Sequence, residues 1–236
     1  MRLRTVPLTA LLVLVTACGG DDKPSAATAA KATVTPYPSI DLGDLENGAS
    51  YASRKFKPEL TLTIPQEGNW NAAGADNADH VELEPEPVPP VSSSGISFHH
   101  MTRVFPPDKG GVIPGDAVAG PADFAAWLTS HPHLRTTKPK PVEALGLKGV
   151  LIDVRVKSSQ PRKYKDCGKV EGECVVMFIG SVEPLVYGSK TFGRFYVLDQ
   201  PGGKQLVVEE FAEPASAFKK TEPQLDAVLR SARVAG

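Results

Sequence analysis

Four of the five histidines stand in two close pairs, His99-His100 and His131-Pro132-His133. Imidazoles are the side chains best suited to acid–base or metal chemistry near neutral pH. His99 and His100 are neighbours in a stretch with strand-like alternation, so they point to opposite faces and cannot readily share one ion. His131 and His133 can converge across Pro132, but a metal site then needs a third ligand, for which His99 is the candidate. A hydrolase or metal-dependent enzyme using His99, His131 or His133 is therefore one expectation. The blander one is a helix-ending loop in which His131 interacts favourably with the helix C-terminal dipole. No G-x-S-x-G, H-E-x-x-H, G-x-x-x-x-G-K-[ST] or strand-linked G-x-G-x-x-G spacing occurs in the chain. Gly202-Gly203-Lys204 has a phosphate-loop look, yet its setting is a hairpin turn with no helix behind it.

Carboxylates add little to that list. Asp153 and Arg155 share a strand face and are expected to form a solvated ion pair of small consequence. Glu209 and Glu210 point to opposite faces, which places one of them at an edge or rim. Glu82, Glu84 and Glu86 form an acidic strip that reads as a solubilising face. The sequence thus assigns no catalytic or metal residue and no cofactor.

The first eighteen residues carry the clearest signal. Arg2 and Arg4 precede the apolar run Leu8 to Val15, which ends at Thr16-Ala17-Cys18. That is the plan of a signal peptide, and the run is too short for a bilayer core that needs roughly 20 apolar residues. V-T-A-C at residues 15–18 resembles the bacterial lipobox, which implies cleavage before Cys18 and its acylation. Two or more acyl chains hold a protein to a membrane, because each buried methylene contributes about 0.8 kcal/mol. The expected location is the extracytoplasmic face of the cell membrane, with the lipid bilayer as partner through Cys18. Cys167 and Cys174, six residues apart in an exported chain, are expected to pair as a disulfide. Neither C-x-x-C spacing nor a nearby histidine favours zinc there.

The elements that must position any site follow from periodicity. Gly19 to Pro36 is small and polar and reads as a flexible tether, with Tyr37 to Ser50 transitional. The expected domains are a signal peptide at 1–17, a lipidated tether at 18–45 and one domain at 46–236. Strands are expected at Leu60 to Ile64, at His80 to Glu84, and at Ile96 to Phe105 as one long strand. A helix opening at Gly120-Pro121 carries the stripe Phe124, Trp127, Leu128 and stops near His131. Val142 to Val156 reads as a hairpin with Val150, Ile152, Val154 and Val156 on one face. Val175 to Gly180 is a strand, and Phe192 to Leu198 and Gln205 to Phe211 form a hairpin around Asp199 to Lys204. A final helix begins at Thr221-Glu222-Pro223-Gln224 and buries Leu225, Val228, Leu229 and Ala232. About eight strands and two helices make an α+β fold, an antiparallel sheet with its helices on one face.

The chain has 236 residues, 26 Lys and Arg against 27 Asp and Glu, and 41% apolar side chains. Such a balance supplies a core and argues against nucleic-acid binding, which needs concentrated positive charge. The order L-E-N-G-A-S-Y…F-K-P-E-L-T-L-T-I-P-Q-E-G-N-W, A-D-F-A-A-W-L-T-S-H-P-H-L, V-E-A-L-G-L-K-G-V-L-I-D-V-R-V resembles uncharacterised secreted lipoproteins of high-GC bacteria. Those are similar to the PsbP-like α/β sandwich group. The resemblance spans residues 46 to 234; it implies a fold and an envelope location and carries no catalytic residue. A non-catalytic binding module for an envelope protein or small ligand is the favoured expectation, and an envelope enzyme the alternative.

Overall fold

A computed structural model describes residues 33–39, 43–87, 89, 91–108, 117–158, 173–179 and 184–235. Along the chain the first strands are β1 (Val34–Pro36), β2 (Gly43–Leu45), β3 (Ser50–Ala52), β4 (Leu60–Thr63), β5 (Trp70–Ala72), β6 (His80–Pro85), β7 (Ser93–His100), β8 (Arg103–Val104) and β9 (Val118–Ala119). Helix α1 (Phe124–Ser130) leads to β10 (Leu134–Thr136), β11 (Lys140–Ala144) and β12 (Leu147–Val156). After these come β13 (Cys174–Ile179), β14 (Pro184–Gly188), β15 (Phe192–Asp199), β16 (Gln205–Glu213), α2 (Phe218–Ser231) and β17 (Arg233–Val234).

Nine strands form one antiparallel sheet in the order β10-β12-β15-β16-β7-β6-β5-β2, with β11 also paired to β12. The β15–β16 hairpin lies at its centre because both strands are apolar on both faces. On β15, Phe192, Tyr196 and Leu198 join one core, while Phe195 and Val197 join the other. Two apolar faces need two covers. The first is closed by α2 through Phe218, Leu225 and Val228, together with the small sheet β1-β3-β4-β17. The second is closed by α1 through Phe124 and Leu128, together with the small sheet β14-β13-β8-β9. The α+β character expected from the sequence is present, but the helices lie on opposite faces and the strands are more numerous than eight.

Several boundaries move for identifiable reasons. The run from Ile96 to Phe105 is two strands: the Thr102 amide donates to the His100 carbonyl, turning the chain so that Val104 pairs with Phe178 in the second sheet. Helix α1 starts after Asp123, whose carboxylate accepts from the Ala126 amide, and not at Pro121. Helix α2 starts at Phe218, led in by a 3-10 turn at Ala215–Ala217, so Pro223 sits inside it and Thr221 caps nothing. Strands β1 and β2 fall in the stretch expected to be tether. Tyr37 and Leu45 are buried in the first core, which fastens this segment to the domain.

Candidate functional site

Alternation on three neighbouring strands places His80 and Glu82 (β6), Ser97 and His99 (β7) and Glu209 (β16) on the face that α1 covers. The His80 and His99 rings stack with centroids 4.7 Å apart, and the Phe178 ring meets His99 edge-on at 5.0 Å. His80 Nε2 lies 2.9 Å from Glu82 Oε2, and His99 Nε2 lies 3.3 Å from Glu209 Oε2. The Tyr187 hydroxyl donates to Glu209 Oε1. Burial pushes the Glu209 carboxyl up to about 8, against the pull of that hydrogen bond. Burial likewise holds His99 well below the ordinary imidazole value, helped by its neighbours His80 and His100. His99 and Glu209 are therefore both neutral at pH 7, and their contact is polar without being an ion pair. The Tyr187 hydroxyl is pushed well above its usual range by burial and by Glu209.

The expected rim position for one of the glutamates is corrected here. Glu209 and Glu210 do point to opposite faces, but both are fully buried. Glu210 accepts from the Tyr196 hydroxyl at 3.2 Å, and burial raises it to about 8 as well. Sequence parity found the two faces, but it could not show that a cover lay over each. The acidic strip is not the solvated face expected: Glu82 and Glu84 lie half-buried on one face of β6, Glu82 facing His80, and burial raises Glu84 to about 7 with Glu82 adding to the shift. The expected Asp153–Arg155 pair is also absent. Asp153 instead accepts from Arg194 at 2.9 Å, and the Arg194 guanidinium also reaches Glu222. Arg155 lies over the Phe192 ring, 5.0 Å from its centroid.

The structure does not bring His99 to His131 and His133. His131 is the C-cap of α1, packed edge-on against Trp127 at 5.1 Å and 5.9 Å from the His133 ring. Burial pulls it down to about 4, so at pH 7 its imidazole brings no positive charge to the end of α1. His133 Nδ1 lies 2.9 Å from Ser158 Oγ. Among the described residues no three His, Cys, Asp or Glu side chains are arranged to hold a metal. Cys174 is buried at the start of β13 against Phe105, Ala117 and Val176. Cys18 and Cys167, the lipid-attachment and pairing candidates, lie outside the described residues.

Two adjoining clefts open at one end of the central sheet. The β11–β12 turn, the β15–β16 hairpin loop, the segment at Lys57-Pro58 and strand β17 enclose a cleft of about 660 Å³. Its apolar wall comes from Pro58, Leu145, Leu147, Pro201 and Val234, and its cations are Lys57, Lys204 and Arg233. A second cleft of about 410 Å³ shares Lys57 and Lys204 and runs past Asp79, His100 and Gln205. Sequence reasoning passed over all three cations. Lys204 stands in the Gly202-Gly203-Lys204 turn, whose phosphate-loop look carries no weight without a helix behind it, and Lys57 lies 147 positions before it and Arg233 29 after it, in no recognisable spacing.

Fold and cleft together describe an antiparallel α+β domain with a small-molecule-sized opening at one sheet end. No protein-family model matches the chain, and no curated protein does.

Proposed function

We propose that this chain is a lipid-anchored, extracytoplasmic binding module and that the cleft between the β11–β12 turn and β17 is its binding site. The observation that carries the reading is the cleft itself: about 660 Å³ with an apolar wall and a few polar groups at its opening. Small-molecule sites have that size and make-up, typically about 300–1,000 Å³. The parts that form it are loops and strand ends standing on a rigid nine-stranded sheet, the usual placing of binding residues. For the anchor, the support is V-T-A-C directly after the apolar run, together with the resemblance to PsbP-like envelope lipoproteins. No helix among the described residues is long and apolar enough to cross a membrane. Cys167 and Cys174 complete the reading as a disulfide that ties the segment between them to β13.

Native mass spectrometry of the full protein released from membranes tests the binding site. A small-molecule adduct is expected, and it should vanish in Ala235→Trp, which plugs the cleft from an exposed position. An adduct that survives Ala235→Trp would place binding elsewhere. A protein with no adduct, and no thermal shift in a total small-molecule extract, would count against a binding module.

A further inference from the structure

We infer that the cleft takes one amphipathic anion at a time, an apolar body bearing a carboxylate or phosphate, with Lys57, Lys204 and Arg233 meeting its charge. This rests on the reading of the cleft as the binding site and adds the chemistry of the occupant.

Three observations converge. The lining residues include three cations and no Asp or Glu. Among the described residues no ion pair involves Lys57, Lys204 or Arg233, while acids elsewhere do find partners at Arg194 and Arg230. All three are exposed side chains lining the same cleft, and their charges add to a positive potential that draws an anion to it. Arg233 is already oriented, since its Nη1 donates to the carbonyls of Arg230 at 2.7 Å and Ala232 at 2.6 Å. Its remaining N–H groups are left for a ligand.

The second observation is in the wall. Gln200 lines the cleft, is 8% exposed, and its buried Nε2 has no hydrogen-bond acceptor. A buried amide donor without a partner is costly and marks a place where an acceptor belongs. Because that nitrogen has almost no accessible surface, a carboxylate or phosphate oxygen in the cleft reaches it once the Gln200 side chain swings outward.

The third is Leu145. It occupies the first position of a two-residue hairpin turn at φ 55°, followed by Gly146 at φ 78°. Two-residue turns of this hand favour Asn, Asp or Gly there, because a larger side chain is strained at positive φ. The chain instead holds a leucine there, with its side chain packed into the cleft wall and 4% exposed. Strain accepted to keep an apolar wall fits a ligand with an apolar body, and a free inorganic anion would leave that wall unused. The concave shape suits a single molecule, not the plane of a bilayer surface.

The test uses the full chain carrying Cys18→Ser, so that its own acyl chains cannot enter the cleft. Calorimetry with dodecanoate below its micelle concentration should give one site, and dodecyl phosphate should bind comparably. Lys57→Ala with Lys204→Ala should weaken both by about tenfold or more, as loss of charge-assisted contacts implies. Raised salt should weaken them too. Leu145→Asn, which removes apolar wall, should weaken binding of the apolar body and also lower the melting temperature, since Leu145 is buried in the first core. Dodecyl maltoside bound as tightly as dodecanoate would overturn anion recognition and leave the binding site standing. Inorganic phosphate bound as tightly as dodecyl phosphate would overturn the apolar body. Lysine-dependent flotation with phosphatidylglycerol vesicles, without binding of monomeric dodecanoate, would show a membrane-surface patch instead. No binding of any probe, alongside a native adduct blocked by Ala235→Trp, would overturn this inference alone; no probe and no adduct would overturn both readings.

Discussion

Glu209 shows what one buried carboxyl does to the whole molecule. Its folded value of about 8, like those of Glu210 at about 8 and Glu84 at about 7, lies above the ordinary 4.5. The native chain therefore holds protons that the unfolded chain has released, and this contribution is full below pH 4.5 and lost as pH rises through 7 to 8. His99 and His131 act with the opposite sign. Held neutral when folded, they contribute above pH 6.5 and lose that contribution as pH falls, through about 4 for His131. The histidines, His100 included, stop changing about one unit above their unfolded value of 6.5, so from about pH 7.5 upward only the carboxyls act and stability should fall. Glu209→Gln should flatten the fall, by up to roughly 1 kcal/mol per pH unit, in urea titrations run at several pH values. Gly193 gives a second prediction at this scale. A Cβ there would overlap the Tyr187 hydroxyl that serves Glu209, so Gly193→Ala should cost about 1–3 kcal/mol by the same measurement. Parity along β16 was readable in the sequence and told which way Glu209 and Glu210 face. Their burial was not, because it depends on α1 and α2 covering opposite sides of the sheet.

At the scale of elements, α1 is seven residues long, too short to persist without its packing. Phe124 is fully buried, stacks on Trp127 at 5.3 Å and meets Phe178 edge-on at 5.8 Å. Phe124→Ala should cost about 3–5 kcal/mol, and Trp127→Ala less, since Trp127 is only partly buried. Asp123→Ala, which removes the N-cap, should cost about 1 kcal/mol. Thermal melts followed by near-ultraviolet circular dichroism will rank the three. The stripe Phe124, Trp127, Leu128 was legible because helical spacing is a local property. The break after His100 was not: nothing in His100-Met101-Thr102-Arg103 interrupts the alternation, and the strand ends because Val104 finds its partner in β13. The same holds for α2, whose first turn is held by Phe218 packing on Phe192, at 4.3 Å between ring centroids, where no capping side chain is present.

For the whole molecule, intact-mass measurement of the membrane fraction should show residues 1–17 removed and Cys18 acylated; an unmodified Cys18 in a soluble product would reject the anchor. Non-reducing peptide mapping should recover Cys167 joined to Cys174, and two free thiols would reject the pair. Both expectations rest on short local patterns, an apolar run ending in V-T-A-C and two cysteines six residues apart. By itself the sequence determined what period and punctuation encode: the β15–β16 hairpin around Asp199 to Lys204, the apolar faces of β12 and α2, and the general α+β character. Tertiary structure alone decided that the sheet is covered on both faces and that Asp153 meets Arg194 in place of Arg155. It also decided that Lys57, Lys204 and Arg233 ring one cleft. The reason is physical. Side-chain direction follows from the dihedral period of a few residues, whereas burial, ion partners and clefts arise where distant segments meet, and nothing in one segment marks which other will cover it.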